Sequence, residues 1–108
     1  MNEFWAEVLF ELLPTGKGGR QVPLDLCNNS PGQYRPHVRV IDGSGELLGV
    51  AFMDGPDDPV LPGQKTQSTI KSLYEPGISY SDLVEGAQFE ILEGPQLVGV
   101  GTVTRSNR

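Results

Sequence analysis

The chain contains a single cysteine, Cys27, and a single histidine, His37, among its 108 residues. One thiol cannot form an intramolecular disulfide, so the sequence favours a reducing compartment. One cysteine and one histidine cannot supply the ligand set of a zinc site. A Cys–His catalytic pair needs hydrogen-bond contact and a third orienting group, and these two residues lie on different predicted strands. We therefore predict a protein that is not an enzyme and that needs no metal or other cofactor.

Long apolar runs are also missing from the sequence. The N-terminal segment, residues 1–13, is interrupted by Glu7 and Glu11, and it lacks the basic region and cleavage site of a signal peptide. No run approaches the roughly 18 apolar residues that a membrane helix needs. The sequence thus predicts a soluble, cytoplasmic chain that does not enter a membrane.

Basic residues are few, because eight Lys and Arg stand against fourteen Asp and Glu, for a net charge of -6 at pH 7. The chain also lacks a GxxxxGK[ST] stretch, so we expect no bound nucleotide. Nucleic-acid affinity comes mainly from Lys and Arg that neutralise phosphates. RNA binding is therefore disfavoured unless the cations converge on one face. The cations that would have to do so are Arg20, Arg35, Arg39, and Lys65 or Lys71.

Glycine and proline, by contrast, are abundant, with 14 and 9 residues. They separate short segments of alternating apolar and polar residues, which is typical of a β-sandwich or barrel with about seven strands. The length fits one domain, residues 1–108. The one candidate helix is Ser81–Val84, with Ser81 as its N-cap. The predicted strands fall in residues 4–13, 21–27, 34–42, 45–53 and 64–74 and in a closing hairpin, 89–103.

The closing hairpin alternates apolar with small or polar residues on both sides of the turn at residues 93–95. We predict that its last strand pairs with an earlier one and removes a sheet edge, and that Gly99 and Gly101 permit tight coiling there. Residues 106–108 carry no apolar pattern, so their removal is predicted to be nearly silent. The side chains expected mostly inside are Phe4, Val8, Phe10, Leu24, Val40, Phe52, Ile70, Phe89, Ile91 and Val100.

Cations alternate with apolar residues in the segment YRPHVRV, residues 34–40. On a strand, Arg35, His37 and Arg39 would share one face, with the valines on the other. One interpretation is a solvent-facing strand whose cations pair with acidic neighbours such as Glu46 or Glu90. The other interpretation is a surface that docks an acidic partner.

Four landmarks follow one another along the chain: GGR at 18–20 with Pro23 after it, YRP at 34–36, LPG at 61–63, and the closing segments EGAQFEILEG and VGVGTV. Their order resembles that in the C-terminal β-barrel domain (domain III) of elongation factor Tu. The resemblance covers roughly residues 4–104. It implies a closed or nearly closed antiparallel β-barrel of six to seven strands that serves as a docking surface. In the factor, that surface meets the nucleotide domain, aminoacyl-tRNA and the exchange factor.

The resemblance implies a non-catalytic, stand-alone binding module that docks a protein partner as a mimic, decoy or immunity-like protein. The candidate partner-binding residues are Arg20, Arg35, His37 and Arg39, and the resemblance supports this set because the family's GGR and YRP segments lie near the junction with the nucleotide domain. The alternative is a translation-related barrel that binds RNA or tRNA. The family's closing turn has the form REGGR, whereas residues 92–96 here contain no arginine. This departure weakens the transfer of tRNA binding, because cations are missing where phosphate would approach.

Overall fold

The structure, a computed structural model, describes residues 3–14, 24, 26, 34–75 and 77–107. Within these residues there is no helix, and six antiparallel strands close into a barrel in the order β1-β4-β3-β2-β5-β6. The predicted all-β antiparallel barrel is therefore confirmed, with six strands. They are β1 (Trp5–Leu12), β2 (His37–Val40), β3 (Leu48–Phe52), β4 (Thr66–Ser72), β5 (Gln88–Glu93) and β6 (Gln96–Ser106).

Alternation along the chain decides which side chains fill the barrel. In β1, Ala6, Val8, Phe10 and Leu12 are buried, whereas the glutamates between them are not. Successive side chains of a strand point to opposite faces, so this alternation fits a barrel strand with one face in the core and the other toward solvent. Aromatic rings occupy much of the interior, and Phe10 meets Phe52 edge-on at 5.2 Å between ring centroids.

Eight of the ten side chains predicted to lie inside are buried, and Val40 and Val100 are only half-buried. Val100 was expected inside, but its neighbours across the ladder are Glu11 and Glu90 on the outer wall. The inner positions of β6 on either side of Val100 belong to Gly99 and Gly101.

The closing hairpin is confirmed, and its second strand is a full member of the barrel wall. β6 pairs with β5 on one side and with β1 on the other. The two strands of the hairpin are joined at Gly94, whose φ of 59° lies in the left-handed region that glycine adopts without strain. β6 therefore closes the barrel, as the alternation predicted.

Two other predicted elements have different outcomes. Most of the strand predicted at 21–27 lies outside the described residues, although Leu24 forms an antiparallel bridge with Val60. The sequence contains no convincing helix, and its one candidate, Ser81–Val84, is instead a turn closed by the Leu83 N–H and the Tyr80 carbonyl. The Ser79 hydroxyl accepts from the Ser81 N–H, a local bond of the kind that competes with helix formation.

Tyr80 ties the start of β3 to the end of β4. Its hydroxyl donates to the Gly49 carbonyl at 2.6 Å and accepts from the N–H groups of Leu73 and Tyr74 at 3.3 and 3.2 Å. Its ring is buried and stacks on Phe4 at 5.6 Å. Burial raises the pKa of the Tyr80 phenol above its ordinary value of 10.0, although the two N–H donors oppose this shift.

We expect Tyr80→Phe to lower the free energy of unfolding by about 2 kcal/mol, because it removes these bonds without emptying the core. Folded Tyr80 keeps its proton to a higher pH than the unfolded chain, so its contribution is complete below pH 10.0 and declines as pH rises above that value. Urea unfolding of both proteins at neutral and at alkaline pH measures this. The difference in the free energy of unfolding between wild type and Tyr80→Phe should become smaller above pH 10. A difference that does not depend on pH would contradict the contribution assigned to the Tyr80 hydroxyl.

Candidate docking surface

The outward side chains of the segment that leads into and forms β2 lie in one row. Pro36 and Val38 are buried, whereas Arg35 is exposed and His37 and Arg39 are half-buried. The pairing with β3 begins before β2, since the Val50 N–H donates to the Pro36 carbonyl. The predicted alternation is therefore confirmed over residues 35–39. Arg20, the fourth candidate, lies outside the described residues.

Arg39 is held by a carboxylate on the neighbouring strand. Its Nε and Nη2 atoms donate to Oε1 of Glu90 at 3.0 and 2.7 Å, and Glu90 is its partner across the β2–β5 ladder. The sequence interpretation in which the cations pair with an acidic neighbour is thus confirmed for Arg39 with Glu90. A partly exposed pair of this kind contributes only about 1 kcal/mol to stability, so its main effect is to orient the guanidinium.

Tyr74 extends this row to the neighbouring strand. Gly49 lies opposite His37 and points outward, because Leu48 and Val50 on either side of it are inside. A Cβ at Gly49 would collide with the Tyr74 ring, so the ring covers the outer side of β3. Tyr74 is nevertheless 51% exposed. Sequence reasoning missed it, although a glycine inside a predicted strand is a known sign of a close approach.

A shallow groove of about 350 Å³ lies on the other side of the Arg39–Glu90 pair. Glu90 is next to Val100 across the β5–β6 ladder, and Val100 lines the groove. Its apolar side chains come from three strands or their ends, and two of these, Leu9 and Ile41, are exposed. The remaining lining residues are Phe10, Glu11, Lys65, Gln88, Gly101 and Thr102.

Apart from Arg35 and Arg39, which share the outward row, the described cations do not join one face. Arg39 pairs with Glu90, Lys71 lies 3.4 Å from Glu3, and Arg105 lies 3.6 Å from Glu7. Arg105 also sits over the Trp5 ring at 5.2 Å. This scattering disfavours a phosphate-binding track, which needs cations that are free to replace counterions.

Among the described residues, no group of three or more His, Cys, Asp and Glu side chains could hold a metal ion. No helix in this part of the chain is long and apolar enough to span a bilayer. No protein-family model matches the sequence.

Proposed function

We propose that this barrel is a non-catalytic binding module that docks a protein partner through Arg35, His37, Arg39 and Tyr74, here called the β2 surface. The outward row carries the proposal, because it sets two arginines, a histidine and a half-exposed tyrosine side by side. Arginine and tyrosine are enriched among the residues that dominate binding energy at protein interfaces.

The partner that suits the β2 surface is acidic. Two arginines and a histidine in a row on a strand are spaced by about 6.6–7 Å, since a strand rises about 3.3–3.4 Å per residue. Partner carboxylates at this spacing would meet a guanidinium already oriented by Glu90. Such orientation lowers the entropy cost of binding.

The ordered landmarks support a further proposal, that the module is a relative of the elongation factor Tu C-terminal barrel. It would then act as a mimic, decoy or immunity-like protein, by occupying a partner of that factor. A closed antiparallel barrel is the fold that this kinship implies. The single cysteine, Cys27, supports placement in a reducing cytoplasm.

Arg35→Ala combined with Arg39→Ala tests the β2 surface. We expect capture of the partner from the native lysate to fall by about tenfold or more, as for interface hot spots. The melting temperature should change by less than about 4 °C, because exposed ion pairs contribute little to stability. Quantitative mass spectrometry of the captured proteins, with thermal melts of each bait, makes both measurements.

The matched control is Lys71→Ala with Arg105→Ala, which removes two cations from other parts of the wall. It should capture the same protein as the wild type. Equal capture by both variants would refute the β2 surface, and so would loss of cooperative folding in the arginine variant. Fluorescence anisotropy with tRNA at about 50 mM salt, where electrostatic affinity is large, tests the RNA-binding alternative. If the wild type binds tRNA and the arginine variant does not, the partner of the β2 surface is RNA rather than a protein.

A further inference from the structure

We propose a second interaction surface, which goes beyond the β2 surface. It is formed by the loops 41–47 and 79–87, here called the loop end, and it binds a protein segment that carries both cationic and apolar side chains. Loop 41–47 joins β2 to β3, and loop 79–87 lies in the connection from β4 to β5. In an antiparallel barrel, these two connections leave from the same end.

Contacts between the loops make the loop end one surface. The Ile41 N–H donates to the Gln88 carbonyl at 2.8 Å. The Ser44 N–H donates to Oδ2 of Asp82 at 3.0 Å. The first bond anchors the beginning of loop 41–47 next to the end of loop 79–87, and the second joins the middle of one loop to the other.

Apolar side chains are exposed on both loops of the loop end. Ile41, Leu47 and Val84 are 43%, 45% and 50% exposed, and they are half of the large apolar side chains that are exposed in the described part of the chain. Isolated exposed apolar residues are ordinary, but a concentration of them at one end of a small domain marks a contact surface.

The charges around these apolar groups define the partner. The loop end carries Asp42, Glu46, Asp82 and Glu85, and residues 40–48 and 77–88 contain no Lys, Arg or His. Among the described residues, Asp82 accepts the Ser44 N–H, and the other three form no ion pair. Partner cations would offset their mutual repulsion, while nucleic acids and anionic membranes would be repelled.

Nuclear magnetic resonance titration with a short synthetic peptide containing lysine and leucine tests the loop end without a variant. We expect chemical-shift changes concentrated in residues 41–47 and 79–87. A peptide with glutamate in place of lysine should cause no shifts there. Shifts spread over the whole barrel, or equal shifts with both peptides, would overturn the proposal.

Matched variants then distinguish peptide contacts with the loop end from a general attraction between the cationic peptide and the acidic protein. Glu46→Gln with Glu85→Gln should weaken peptide binding on the order of fivefold, and Leu47→Ser with Val84→Ser should do so too. Asp57→Asn with Asp58→Asn changes the net charge equally in the loop 53–65 at the opposite end, and it should change affinity less than about twofold. Equal weakening by both charge variants would overturn the proposal, as would an inert Leu47/Val84 variant. Binding to phosphatidylserine vesicles would overturn the choice of partner.

Discussion

A chain truncated after Pro95 is expected to lose cooperative unfolding altogether. Removal of residues 96–108 deletes β6, which pairs with both β1 and β5. Two sheet edges would open, and Val98 and Val103 would leave the core. A domain of this size has only about 5–15 kcal/mol of net stability, so the remaining five strands cannot compensate. Thermal melts followed by circular dichroism measure the effect, and a cooperative transition in the truncated chain would contradict the closing role of β6.

A shorter truncation removes only residues 106–108. It distinguishes the loss of barrel closure by β6 from the effect of a merely shorter chain. Ser106 lies opposite Ala6, so β6 continues to the end of β1. Asn107 accepts the Trp5 N–H at 3.0 Å, and its own Nδ2 donates to the Glu3 carbonyl at 2.7 Å. We therefore expect a loss of about 2 kcal/mol with cooperativity retained, since each bond contributes about 0.5–1.5 kcal/mol. The missing apolar pattern had predicted a nearly silent change, and these polar contacts are the reason for the revised expectation.

Gly101→Val is expected to destabilise the barrel by about 3 kcal/mol, although valine is a better strand former than glycine. A Cβ at Gly101 would lie 2.6 Å from Cζ of Phe89 and 3.0 Å from the Leu9 carbonyl oxygen. The Phe89 ring is fully buried, so it has little room to move aside. Urea unfolding of the variant and the wild type measures the difference in free energy.

Gly77→Ala is the matched control for this prediction, because a Cβ there would only approach the Tyr74 carbonyl oxygen at 3.4 Å, an ordinary contact. It should change stability by less than about 1 kcal/mol. Phe89→Leu provides the second test, since a smaller side chain removes the clash. Gly101→Val should cost less in the Phe89→Leu background than in the wild type. Simple addition of the two effects would show that the ring is not what excludes a side chain at Gly101.

Much of the fold was predictable because strand alternation is a local property of the chain. Val8 and Phe10 alternate with glutamates or exposed residues, and no distant contact is needed to assign their faces. The turn near Gly94 could likewise be predicted from the local sequence. The outward position of Val100 was not predictable, because it depends on Phe89 and Ile91 of β5 filling the interior space next to Gly101 and Gly99. Which residues of β6 face the interior thus depends on how this strand pairs with its neighbours.

The candidate docking surface was likewise predictable only in part from the sequence. Alternation in the sequence determined that Arg35, His37 and Arg39 share a face. Only the tertiary structure decided that Arg39 meets Glu90, which is 51 residues away, and that Tyr74 covers Gly49. It also decided that loops 41–47 and 79–87 share one end of the barrel. The physical reason is that a side chain's direction follows from its own strand, whereas its neighbours follow from the register between strands that are distant in sequence.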